Sequence, residues 1–205
     1  VAITRTDVLD AARAILCQHS LADLSMRRLA AELGVSPNAL YWHYPDKQSL
    51  LAALGDDILA GVATPPGDLP WDERLERLTR AMRASLCAVP DSAELVSSSW
   101  SSGLSTRTVL TRLTEAARAG GLGEADCRGL VTALAQLTIG LTIEEQTRRQ
   151  MERLGATTPG NRDFDAEFDD ALAIVLAGAR QLADSSATAA DTVQAGQSGP
   201  SSLLA

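Results

Sequence analysis

Apolar positions recur at three- and four-residue intervals through most of this chain, and glycine, proline and serine punctuate the runs. Val8, Ala11, Ala12, Ile15 and Leu16 make one stripe, which predicts a helix over 4–19 capped by Thr4 or Thr6. His19-Ser20 breaks it. Between Ser25 and Leu51 the pattern tightens. Leu29, Ala30, Leu33, Val35 and Leu40 are spaced to face one small core, and Ser25 reads as an N-cap. Gly34 stands where the first of two short helices must stop, because glycine tolerates the left-handed backbone of a helix C-terminus. Ser36 then reads as an N-cap and Pro37 as the first helical position. Helix, glycine turn and capped short helix, in that order, predict a helix-turn-helix. Pro45-Asp46 separates it from a helix over 47–62, with Asp46 as cap and Leu50, Leu51, Leu54, Ile58 and Leu59 on the apolar side.

Residues 63–70 (ATPPGDLP) cannot continue a helix, and the domain junction is placed there, between a head of 1–62 and a body of 71–184. An amphipathic helix over 71–88 turns Leu75, Leu78, Met82 and Leu86 inward and ends at Pro90. The serine-rich piece 91–103 reads as looser. Helical periodicity resumes over 105–119 through Leu110 and Leu113, and Gly120-Gly121 ends it. The longest periodic run, 124–153, is apolar on nearly every side from Leu130 to Ile143, which predicts burial against its own domain and against a partner chain. After a loop at 154–162, a last helix over 164–183 turns Phe164, Phe168, Leu172, Val175, Leu176 and Ala179 inward. From Ser185 to Ala205 there is little to bury, and a disordered tail is expected.

Composition fits an all-α protein: 45% of residues are hydrophobic but only 3% aromatic, and β-branched runs are scarce. No apolar run approaches the roughly 20 residues that span a bilayer, and the first ten residues lack the apolar stretch of a signal peptide. A cytoplasmic protein with no membrane partner is expected. Cys17, Cys87 and Cys127 are isolated among apolar neighbours and read as core residues rather than as a redox or metal site. The acidic run DFDAEFDD (163–170) has Phe168 where a calcium loop needs glycine, so it reads as negative charge at a helix N-terminus. With no nucleophile–base set, phosphate loop or metal spacing, neither catalysis nor a cofactor is expected. The net charge of −8 by itself disfavours nucleic acid, but residues 1–55 hold five basic and five acidic residues and the remainder thirteen and twenty-one. A neutral head on an acidic body can bind DNA if its cations share one face.

The residues left facing outward around the helix-turn-helix are Arg27, Pro37, Asn38, Tyr41, Trp42, His43 and Lys47. A core has no use for them there, and a DNA backbone does. The segment LSMRRLAAELGVSPNALYWHYPDKQSLLAAL, with LYWH followed four residues later by Lys47, resembles the DNA-binding domain of the TetR family of bacterial repressors, in particular its tetracycline-repressor branch. LTIGLTIEEQ (137–146) is similar to the glycine-plus-Glu-Glu-Gln stretch in the long C-terminal helix of that branch. The resemblance implies an all-α homodimer: a three-helix DNA-binding head with its helix-turn-helix, a linking fourth helix, and a helical ligand-binding and dimerisation body. It implies repression at a palindromic operator in double-stranded DNA, released by a small-molecule effector. The alternative is a helix-turn-helix regulator without an effector, its body serving dimerisation or a protein partner.

Carried over by position, Arg27 matches a base-reading arginine, able to give bidentate hydrogen bonds to guanine; otherwise it is a solvated arginine. Arg28 is a phosphate contact or faces solvent. Ser36 joins the DNA-binding set. Pro37, Asn38 and Ala39 open the recognition helix where the tetracycline-repressor branch has glutamine, proline and threonine, so the operator should differ. Asn38 can read adenine or simply serve the turn. Tyr41, Trp42 and His43 can donate to phosphate or pack, and Lys47, the sole lysine, should contact phosphate. In the body, Met82, Trp100, Leu104, Leu137 and Leu141 are candidate pocket walls or plain core. Glu144 matches a carboxylate that helps bind a metal-chelated drug in the tetracycline repressors; alternatively it pairs with Arg148 at i+4. The region Ser97 to Trp100 has no histidine, so a magnesium–tetracycline site is not expected.

Overall fold

The structure, a computed structural model, describes residues 3–158 and 160–197. Among these the regular elements are all helices: α1 (Arg5–Gln18), α2 (Met26–Glu32), α3 (Pro37–Tyr41), α4 (Lys47–Ala60), α5 (Trp71–Cys87), α6 (Ser92–Ser102), α7 (Thr108–Ala119), α8 (Glu124–Arg153) and α9 (Phe164–Gln197).

Local chemistry sets the ends of the head helices. Thr4 and Asp7 form a reciprocal capping box on α1, and the Ser25 hydroxyl accepts from the Arg28 N–H on α2. Gly34 has φ 65°, and the N–H groups of Gly34 and Val35 close back onto the carbonyls of Ala31 and Ala30. That paired closure satisfies carbonyls the helix leaves open. Pro37 is the first residue of α3, but the Ser36 hydroxyl makes no capping bond. Val8, Leu16, Leu24, Leu29, Leu40 and Leu50 are fully buried and join α1–α4.

The Asp46 carboxylate accepts from the Ser49 N–H at 2.7 Å and caps α4. That bond holds its pKa below the ordinary 3.8. A depressed folded-state pKa stabilises the fold above about pH 4, and the contribution is lost as pH falls through the depressed value. Asn is also a good cap and does not titrate. Asp46→Asn is therefore expected to flatten the acid side of a plot of melting temperature against pH, with little change at pH 7.

α4 packs on α1 of the head and on α6 of the body. Gly55 permits the second contact: a Cβ built there lies 3.1 Å from Leu95 Cδ2 and 3.4 Å from Val96 Cγ2. Gly55→Val overfills this seam and is expected to cost about 1–3 kcal/mol in denaturant unfolding.

Two segments differ from the sequence expectation. Residues 91–103 are not loose but form α6. Its serines do not disrupt it, because the hydroxyls of Ser99 and Ser101 donate to carbonyls one turn back while Leu95, Val96 and Trp100 face the core. The tail expected to lack structure from 185 is helical as far as Gln197. Residues 184–195 contain neither Gly nor Pro and are rich in alanine, so nothing local stops α9. The rest of that tail, 198–205, lies outside the described residues.

Candidate nucleic-acid interface and body cavities

Three neighbouring elements carry the DNA-facing candidates. Arg27 is exposed on the first turn of α2 and makes no ion pair among the described residues; Arg28 beside it is 3.7 Å from Asp23. Ser36, Pro37 and Asn38 are exposed at the start of α3. Tyr41 is 47% and Trp42 90% exposed. So bare an indole contributes nothing to the core, which removes packing as its role. His43 and Lys47 are half-buried, and Lys47 opens α4 without an ion pair among the described residues. The fourth residue of the YWHY string, Tyr44, is 1% exposed, with the Arg5 guanidinium 4.5 Å from its ring centre. Sequence reasoning passed over it, although its spacing of four from Leu40 was the available signal.

The six body candidates do not converge. Met82 is fully buried, Leu104 is exposed on the α6–α7 loop, and Leu137 and Leu141 are half-buried on α8. Trp100 borders two cavities. One, about 360 Å³, lies between α4 and the α6–α7 loop, with Asp56, Leu59 and Arg112 among its walls. The other, about 270 Å³, lies between α6, α7 and α8. Glu144 borders a separate cavity at the far end of α8. It pairs with Arg162 at 2.6 Å, whereas Arg148 pairs with Glu152 at 2.8 Å. The α8–α9 loop brings Arg162 back against α8 and supplies a partner that the i+4 spacing does not foresee.

Two groups escaped the sequence reading. Arg107, in the α6–α7 loop, holds a left-handed backbone at φ 52° and donates from its guanidinium to the Trp100 carbonyl. Arg83 and Glu145 form an ion pair at 2.9 Å with side chains only 6% and 5% exposed. Arg83 also reaches Asp165 at 2.6 Å, and Arg149 pairs with Glu145. The Cys87 thiol, its pKa pushed up by burial, lies 3.7 Å from Glu145 Oε2. This cluster joins α5, α8 and α9.

Residues 8–54 match the pattern of bacterial regulatory proteins of the TetR family, and residues 64–159 match the tetracycline-repressor-like C-terminal domain. BioQ from Mycobacterium smegmatis is 40% identical, with a TM-score of 0.80, over 87% of this chain and 98% of that one. BioQ with its double-stranded DNA operator is 38% identical, with a TM-score of 0.74, over the same shares. The class D tetracycline repressor of Escherichia coli is 29% identical over 186 residues, 89% of this chain and 81% of the repressor. The chain belongs to the TetR family. It is a DNA-binding transcriptional regulator, not an enzyme, and its all-α fold with a helix-turn-helix head is that of the family.

In this TetR-family protein, head and body are tied by more than the course of α4. Within the head, Arg13 of α1 pairs with Asp57 of α4 at 2.5 Å and fixes the linking helix to α1. Asp56, the neighbour of Asp57, accepts from the Ser105 hydroxyl at 2.6 Å and the Thr106 N–H at 2.9 Å, both in the α6–α7 loop. A second tie between head and body bypasses α4: the Leu21 N–H, between α1 and α2, donates to Asp91 Oδ2 at 2.7 Å. Asp91 precedes α6 in a left-handed conformation and spends its carboxylate on the head rather than on capping its own helix. No described helix is long and apolar enough to cross a membrane.

Proposed function

We propose that this protein is a cytoplasmic repressor that binds a palindromic operator as a homodimer and is released by a small-molecule effector. The observation that carries the proposal is the pairing of an exposed α2–α3 face, Arg27 and Trp42 foremost, with a body cavity that borders α4 itself. In this reading residues 1–62 form the DNA-binding unit and 71–184 the effector and dimerisation unit. Arg27 and Asn38 read base edges. Arg28, Ser36, Tyr41, Trp42, His43 and Lys47 fix the register through phosphates.

The exposed side of α8 and α9 supports the dimer. Ile174 is 73% and Leu182 48% exposed, and they flank a groove of about 520 Å³ with Gly129, Ala133 and Gly178 on its walls. Nothing lies within 4 Å of a Cβ built at Gly129 or Gly178, so a second copy's helices can approach closely. Two heads held by such a body enter successive major grooves, and half-site spacing follows from the dimer. An effector that binds better to one head spacing than to the other shifts operator affinity by that difference. Residues 1–55 are charge-neutral, so nonspecific binding is expected to be weak and sensitive to salt.

Sedimentation of the free protein at micromolar concentration, then with a selected operator duplex, tests the proposal. A dimer that binds one palindromic duplex supports it. A monomer, or binding only to asymmetric sites, overturns it.

A further inference from the structure

We infer that the effector is a small carboxylic acid with an apolar body, held in the cavity between α6, α7 and α8 with Arg107 as its anion anchor. The inference rests on the effector-controlled reading above and names the ligand class.

At about 270 Å³ the cavity is just smaller than the ~300 Å³ at which pockets for drug-sized ligands begin, so its occupant is small. Trp100, Leu110, Val131 and Ile139 supply apolar walls, and Ser97 and Gln136 supply uncharged polar groups. Among the lining residues Arg107 alone carries a charge. That is unexpected in a body, 71–184, whose acidic residues outnumber its basic ones by seventeen to thirteen. Arg107 also has no ion pair among the described residues. Its Nη2 donates to the Trp100 carbonyl, and its Nε and Nη1 make no hydrogen bond there. A guanidinium beside apolar walls and without a counter-ion favours a ligand that brings the negative charge. A carboxylate matches its fork with two charge-assisted bonds, a neutral amide matches it poorly, and a cation is repelled.

The same residue is wired to the head. A non-glycine residue holds a left-handed backbone only when its surroundings fix it, and such positions cluster at ligand clamps and switches. Here the Arg107 N–H donates to Ser105 Oγ at 3.2 Å, and Ser105 Oγ donates to Asp56 of α4 at 2.6 Å. A carboxylate that draws the guanidinium from the Trp100 carbonyl therefore acts on a loop hooked to α4. Trp100 and Arg107 also border the cavity of about 360 Å³ against α4, so the two spaces share wall residues.

The test is calorimetric titration of the full-length protein, without DNA, with phenylacetate and hexanoate and with their primary amides. At least one acid is expected to bind about tenfold or more tightly than its amide. Arg107→Gln should erase that preference, and Arg107→Lys, which keeps the charge, should retain part of it. Binding should change the tryptophan fluorescence of the wild type but not of Trp100→Phe. Equal affinity for acid and amide, an acid preference that survives Arg107→Gln, or no binding by either acid would overturn the inference. Operator release is scored separately, by adding the bound acid to the protein–operator complex. Failure of the ligand class and failure of effector control are thereby told apart.

Discussion

Glu145→Ala is expected to lower the unfolding free energy by about 3–5 kcal/mol, measured by urea denaturation at pH 7 and fixed protein concentration. The size follows from burial. Arg83 and Glu145 are 6% and 5% exposed, so solvent screens them little, and removing the carboxylate leaves a cation inside the body. Asp165 remains bonded to Arg83, but it is 85% exposed and holds only one edge of the guanidinium. Arg83→Met combined with Glu145→Leu removes both charges and fills the space. That double variant is expected to recover most of the loss, because a buried pair repays little more than its own desolvation. A small loss in Glu145→Ala alone would show that water already reaches the pair.

Arg27→Ala is expected to weaken operator binding by about 1–3 kcal/mol per half-site. The two half-sites of a palindrome are far apart and add, giving roughly 30-fold to more than 10⁴-fold. The loss should be confined to the cognate sequence, with discrimination relaxed at one base pair in each half-site. Lys47→Ala should behave differently. With Lys47 proposed as a phosphate contact, its removal should weaken all sequences alike and lower the salt slope by about 1 per head. Titrating both variants against operator and scrambled duplex at two salt concentrations separates base reading from backbone contact. Equal losses on both duplexes for Arg27→Ala would remove it from the base-reading set.

The head was legible because its instructions are local. Gly34 supplies a left-handed turn, Ser25 and Asp46 supply caps, and Leu29, Ala30 and Leu40 supply one buried stripe. The turn and the caps act within about five residues, and the stripe runs only from Leu29 to Leu40. The body was less legible because its decisive pairs lie far apart in the chain. Successive residues of a helix point about 100° apart, so two adjacent glutamates need not share an environment. Only the packing of α5 and α9 against α8 decides that Glu145 is buried on Arg83 while Glu144 stays exposed with Arg162. The candidate pocket walls scattered for the same reason. Met82 and Trp100 have the same helical signature, yet Met82 is sealed in the core while Trp100 also borders two cavities. Arg107 carried no signal at all, since nothing in a short polar loop announces a left-handed arginine.

The most direct test of the central claim is sequencing of the genomic DNA fragments retained by the purified protein, beside a Tyr41→Ala, Lys47→Ala control. A single shared palindrome, enriched by the wild type and lost in the control, is the predicted result. Fragments without a common motif, or equal retention by the control, would contradict it and would mean that the α2–α3 face does not read sequence in this protein.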